Sequence, residues 1–235
     1  ISFITLLFVN EKRHLSISEI REMEGIDEES EKRSSSVMQE LKEAYNYIVK
    51  IPLVGFVVLS YIIVMITGGI SYIFLIKYSN ETLRMGVEGL GYLQTSLGIG
   101  VITGSLLVSL IGNRAGKIFQ IKVGIIIIAI AAVMFGFVEN IKFAVLTGVI
   151  AGVGASFIII ISETILQIVV KSHFRGRIFG ILQTITNAAF AVSAIIAGFV
   201  TGLIEEKRLF ISIAAVLLLF LIVTEIAGAK KKYFS

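Results

Sequence analysis

Lys171-Ser172-His173-Phe174-Arg175-Gly176-Arg177-Ile178-Phe179-Gly180 sets three fixed positive charges between two long apolar runs, residues 141–170 and 178–204. Each run is long enough to cross a bilayer. A spanning helix takes about 20 mostly apolar residues, because the backbone must satisfy its own hydrogen bonds where no water is present. Basic turns stay on the cytoplasmic side, so Lys171, Arg175 and Arg177 anchor this turn inside. The remaining spans are counted outward from it.

Hydrophobic residues make up 56% of the 235, charged residues 16%, and mean hydropathy is +0.92. These values lie outside the soluble range and mark an integral membrane protein, with the lipid bilayer as its first partner. The net charge of +4 does not signal nucleic acid, since the charges sit in short clusters at helix ends and form no continuous basic face. No nucleic-acid partner is expected. The chain has no cysteine, which excludes disulfides, thiolate metal sites and cysteine catalysis. His14 and His173 both fall in loops, so no intramembrane histidine serves a Ser-His protease or a metal. No enzyme activity, metal or cofactor is expected.

In chain order, residues 1–9 are apolar but too short to span and lack a signal-peptide cleavage pattern. They read as the tail of a truncated transmembrane helix. Residues 10–50 form a charged loop of mixed sign whose first part is too polar for a core. Within it Ser36-Val37-Met38-Gln39 fits a capping box, and Val37, Met38, Leu41, Tyr45, Ile48 and Val49 recur at helical spacing. An amphipathic cytoplasmic helix is therefore expected over 36–50, lying on the membrane surface or against the protein's own cytoplasmic face. Pro52, the single proline, suits the first turn of the next helix.

The six-helix transmembrane bundle then occupies 51–229, with spans α1 (about 52–76), α2 (89–111), α3 (118–138), α4 (141–170), α5 (178–204) and α6 (209–229). A basic cytoplasmic tail, 230–235, closes the chain. This layout places sixteen of the 21 Lys and Arg on one side and five on the other. Such asymmetry supports six spans with both ends cytoplasmic.

In lipid, helices associate where small residues let backbones approach. On α2, Gly98, Gly100 and Gly104 are packing candidates. Gly148 and Gly152 form a second pair on α4, and Gly198 lies on α5. Polar residues inside a bilayer are costly and usually face a bundle interior or a water-filled cavity. On that ground Ser60, Thr67 and Ser71 of α1, Ser156, Glu163 and Gln167 of α4, and Gln183 and Asn187 of α5 are candidates for a substrate or proton cavity. The centres of α3 and α6 hold almost nothing polar, which suits lipid-facing helices.

Glu163 is the acid set well inside a span. It reads either as a proton-titrating group or counter-charge for a cationic substrate, or as a structural partner for Arg175 or Arg177. Glu225 lies nearer an end and is expected to pair with Lys230 to Lys232.

This pattern resembles the C-terminal half of a major facilitator superfamily transporter, over nearly the whole chain. The resemblance is carried by the remnant helix and long charged loop, the amphipathic stretch Glu40 to Ile48, the six spans and the two basic inner turns. Phe174-Arg175-Gly176-Arg177-Ile178-Phe179-Gly180 is similar to the Arg-Gly-Arg-x-x-Gly turn of that family's drug, macrolide and siderophore exporters. Asn113-Arg114-Ala115-Gly116-Lys117 resembles its Asp-basic-x-Gly-basic-basic loop, with Asn113 in place of Asp and Ile118 in place of the last basic residue.

The resemblance implies an all-α membrane fold in which α1 and α4 line a cavity, α2 and α5 form a moving interface, and α3 and α6 lie outside. It implies a secondary active transporter, a proton-coupled exporter of small amphipathic molecules working by alternating access. Its partners would be a small-molecule substrate, the proton and an N-terminal six-helix half. The alternative is a non-transporting six-helix scaffold or a homodimeric membrane protein that uses the polar faces for association.

Overall fold

The computed structural model describes residues 52–112, 114–170 and 175–231. The expected helix remnant over 1–9, the loop and amphipathic helix over 10–50, Asn113, and the end of the basic tail lie outside these residues.

Six α-helices and no strand are present among the described residues: α1 Pro52–Glu81, α2 Gly86–Ile111, α3 Lys117–Phe135, α4 Ile141–Val169, α5 Arg175–Val200 and α6 Glu206–Lys231. Each is long and apolar enough to cross a membrane. Several overrun the apolar segments expected from the sequence. The first continues past residue 76 to Glu81, carrying Lys77 and Glu81 as an i,i+4 pair at 3.9 Å. The fifth starts at Arg175, so Arg175, Gly176 and Arg177 form its first turn and not a loop. Backbone hydrogen bonding does not stop where hydrocarbon gives way to headgroups, and polar residues of good helix propensity extend the helix there.

The turns are specified locally. Arg84 and Gly86 adopt φ of 54° and 57° between α1 and α2. Gly112, at φ 52°, ends α2, a conformation that costs a residue bearing a Cβ about 1 kcal/mol or more. Asn140 caps α4, its side-chain oxygen accepting from the Lys142 amide at 2.9 Å. Two turns, α2–α3 and α4–α5, share the end of the bundle that carries most of the basic residues, here called the basic end. The other three share the opposite end.

Helix α4 is the hub, packed along α2 and α3 and touching α1. The first helix packs mainly on α5, and α3 carries α6. Glycines decide the closest approaches. A Cβ on Gly100 would overlap the Val149 carbonyl and lie 2.9 Å from Gly152 Cα, while one on Gly148 or Gly104 would strike Ser96 or Ser156. The two glycine pairs read from the sequence thus meet each other across α2 and α4. Gly124 faces the Gly154 carbonyl across α3–α4, and Gly69 faces the Phe190 carbonyl across α1–α5, close approaches that glycine spacing alone did not reveal. Gly98 and Gly198, expected to pack, meet no atom within 4 Å. Gly98 lies on an exposed side of α2, and Gly198 borders an open groove between α5 and the end of α1.

Aromatic rings close the core between α1, α3 and α6. Tyr78 meets Phe135 edge-on at 6.0 Å, Phe135 stacks on Phe210 at 5.4 Å, and Phe56 stacks on Phe220 at 6.2 Å. Polar ties brace the opposite end: Tyr78 donates to the Val138 carbonyl, Lys77 to the Thr201 carbonyl at 3.0 Å, and Thr82 to Glu206 at 2.8 Å.

Candidate functional site

A cavity of about 260 Å³ opens inside the bundle, lined by residues from all six helices. Thr67, Gly68, Ser71 and Tyr72 of α1 form one wall, facing Phe190 of α5 and Phe135 and Phe210 of α3 and α6. Gln94 of α2 adds an amide, and Ala151 and Ala155 of α4 keep the space open. None of the lining residues is an Asp, Glu, His, Lys or Arg. The Thr67 hydroxyl donates to the Ile63 carbonyl at 2.8 Å and keeps its lone pairs for a ligand donor. Such a wall can hold an apolar or aromatic body and orient it by a few hydrogen bonds.

Glu163 is not part of that lining. It lies six residues, roughly 9 Å, from the basic end of α4, half-buried, and accepts a hydrogen bond from the Tyr61 hydroxyl at 3.4 Å. Along α1 Tyr61 lies three residues, about 4.5 Å, from the first cavity residue, Val64, and six residues, about 9 Å, from the first polar one, Thr67. The structure therefore separates an acidic site near the basic end from an uncharged cavity nearer the opposite end. Arg175 does not reach Glu163. Its Nε donates to the Val170 carbonyl at 3.1 Å, which caps the C-terminus of α4, where the helix dipole favours a cation.

The remaining sequence candidates divide between the core and the surface. Ser60 is fully buried and donates to the Phe56 carbonyl at 2.8 Å. Ser156 is buried against Gly104 and donates to the Val153 carbonyl at 2.7 Å. Both hydroxyls serve helix packing, because a serine on a helix satisfies itself on the preceding turn without a cavity. Gln167, Gln183 and Asn187 are exposed, and the Gln183 amide donates to Asn187 at 3.4 Å along α5.

Exposure follows a rule on α2 and α5. Each has a buried face, an apolar exposed stripe and a third stripe of small or polar residues. On α2 the third stripe is Gly91, Gln94, Thr95 and Gly98; on α5 it is Gly180, Gln183, Thr184 and Asn187, continued by Ala191. Exposed positions along the middle of α3 and α6, such as Ile126, Ile130, Val216, Leu219 and Val223, are apolar, while Lys207, Arg208 and Ser212 are exposed at the start of α6. A charged pair lies nearer the basic end. There Lys122 of α3 pairs with Glu225 of α6; the side chains of Lys230 to Lys232, the partners expected from the sequence, lie outside the described residues.

The α2–α3 turn, which carries Arg114, Gly116 and Lys117, is closed by a residue that the sequence reading missed. Gln120, 1% exposed, donates from one amide nitrogen to the carbonyls of Gly112 at 3.1 Å and Ala115 at 2.8 Å. The signal was a lone amide one turn inside an apolar helix, three residues past the basic motif. Tyr61 and Gln94 were missed as well. A buried tyrosine carries no polar pattern in sequence, whereas Gln94 stood in a span and was legible.

The sequence pattern of the Major Facilitator Superfamily matches residues 1–193 and, in a second match, residues 57–230. The second match takes in nearly all of the six helices, from the first turns of α1 to the end of α6. The chain belongs to the Major Facilitator Superfamily. It is a multi-pass membrane protein, and superfamily members are transporters and not enzymes. No curated protein matches the chain. Among the described residues no group of three or more His, Cys, Asp or Glu is placed to hold a metal.

Proposed function

We propose that this chain supplies one six-helix half of a secondary active transporter, a proton-coupled exporter of small amphipathic molecules that works by alternating access against a second half. The observation that carries the reading is the third stripe on α2 and α5. Small and polar side chains facing hydrocarbon would be costly, so a protein or water-filled surface is their natural neighbour. Rocking of two bundles about a site near the midplane supplies that neighbour. The family pattern's two overlapping matches accord with a fold built of repeated bundles.

In this reading the uncharged aromatic cavity takes the apolar body of the substrate, with Thr67, Ser71 and Gln94 as orienting groups. Glu163, with Tyr61 as its hydrogen-bond donor, carries the proton. Gln167, Gln183 and Asn187 face the second half across the moving interface. Export follows from the likeness of the Arg175-Gly176-Arg177 turn to those of drug, macrolide and siderophore exporters. The basic end is cytoplasmic and the membrane is the cell membrane.

Because the chain has no native cysteine, single cysteines at Gln94, Gln183 and Asn187 give a clean test. The expected result in native membranes is crosslinking to residues of a second, non-identical six-helix bundle. Crosslinks joining identical chains through these positions, with no such bundle engaged, would support the homodimeric scaffold instead.

A further inference from the structure

The cavity between the six helices has a closed floor and an open mouth. Ala132 and Phe135 of α3 and Phe210 and Ile213 of α6 form the floor and are buried, whereas Tyr72 of α1 and Gln94 of α2 are exposed. Gln94 belongs to the third stripe of α2, so the mouth opens on that stripe. One side of the cavity is fixed by backbone contact. Gly69 lets α1 approach the Phe190 carbonyl, and the Phe190 ring lies beside Tyr72 with ring centroids 6.3 Å apart.

We infer that this cavity binds an uncharged aromatic molecule of about two fused rings that carries a hydroxyl or N–H donor. Charge, size and hydrogen bonding select that class. The lining holds no Asp, Glu, His, Lys or Arg, so a buried cation or anion would have no counter-charge. Cation–π attraction to Tyr72 or Phe190 is weaker than the cost of burying an unpaired ammonium. An apolar cavity of about 150 Å³ takes one benzene ring, and the space here, about 260 Å³, is in proportion to two. Ala151 and Ala155 set that limit from the α4 side, because a longer side chain at either position would occupy the space. The Thr67 hydroxyl has spent its proton on the Ile63 carbonyl, so it can only accept, and the ligand must donate. Calling this molecule the substrate rests on the transporter reading. The binding itself does not.

The test is saturable binding of radiolabelled 2-naphthol to the whole native polypeptide in detergent, with unlabelled molecules as competitors. No transport is measured, so its failure is separable from failure of the transporter reading. Unlabelled 2-naphthol should compete about tenfold better than 2-naphthoate or 2-naphthylmethylammonium, which carry the same rings with a charge. Thr67→Val keeps the shape and removes the acceptor, and should weaken 2-naphthol about fivefold while leaving naphthalene unchanged. Ala155→Leu fills the space and should weaken both about tenfold or more. Ala151→Leu repeats the filling one turn away, so a folding defect in one variant does not decide the result. The inference is overturned by the absence of saturable 2-naphthol binding, or by a charged naphthalene that binds as tightly. Equal losses of 2-naphthol and naphthalene in Thr67→Val would also overturn it, as would wild-type binding in a folded Ala155→Leu variant.

Discussion

At the scale of single residues, Glu163 and Gln120 show two fates for a polar group in an apolar helix. Glu163 has the neutral Tyr61 hydroxyl for a partner while Arg175 is spent on the Val170 carbonyl, so its carboxylate is not neutralised by Arg175 as one sequence reading held. In the transporter reading Glu163→Gln keeps shape and hydrogen bonding but removes the titrating group. Substrate efflux measured across a pH series should then lose its pH dependence at unchanged membrane abundance, and a profile identical to wild type would reduce Glu163 to packing. Gln120 is the opposite case, a buried amide spent on turn closure. Gln120→Leu removes both bonds to Gly112 and Ala115 and leaves their carbonyls to find other donors. A loss of about 1–3 kcal/mol is expected, read from thermal denaturation in detergent.

At the scale of helices, packing is decided by where a backbone must come near another backbone. A methyl added at Gly152 would overlap the Leu97 carbonyl oxygen and lie 2.9 Å from Gly100 Cα, and backbone cannot yield as a flexible side chain can. Gly152→Ala should therefore cost about 1–3 kcal/mol. Gly98→Ala, two residues from Gly100 but on the open stripe, should change the stability of this bundle by no more than about 0.5 kcal/mol. Equal losses in the two variants, followed by unfolding in detergent, would contradict the assignment of faces. Glycine spacing alone treated these positions alike. Which side of α2 meets α4 is invisible until the partner helix is in place, and the same holds for Gly198 on α5. The Gly69 and Gly124 approaches escaped notice for the same reason, since each needs a specific carbonyl from another helix.

At the scale of the molecule, the six helices leave the third stripes of α2 and α5 without neighbours, and an alternating-access path needs a second wall. Residues 1–235 alone, reconstituted in liposomes, should show no proton-coupled substrate flux. Flux from this chain alone would sink the two-bundle reading. Much of the architecture was legible before any fold was known. Six spans, their order and the basic asymmetry of the turns follow from length, hydropathy and charge, because a bilayer imposes one secondary structure and one crossing length on each apolar run. The Gly100–Gly104 and Gly148–Gly152 pairs were legible as well, since small residues at one-turn spacing are costly to explain otherwise. The site was legible only in part. Sequence periodicity gathered Ser60, Thr67, Ser71, Ser156, Glu163, Gln167, Gln183 and Asn187 as cavity candidates, yet the folded chain spends Ser60 and Ser156 on packing, puts Thr67 and Ser71 in an uncharged cavity, gives Glu163 to Tyr61 and leaves the other three exposed. Local sequence determines that a helix forms and which residues share one of its faces. Which neighbour that face meets is set by interhelical contacts between residues far apart in the chain, and only the tertiary structure decides them.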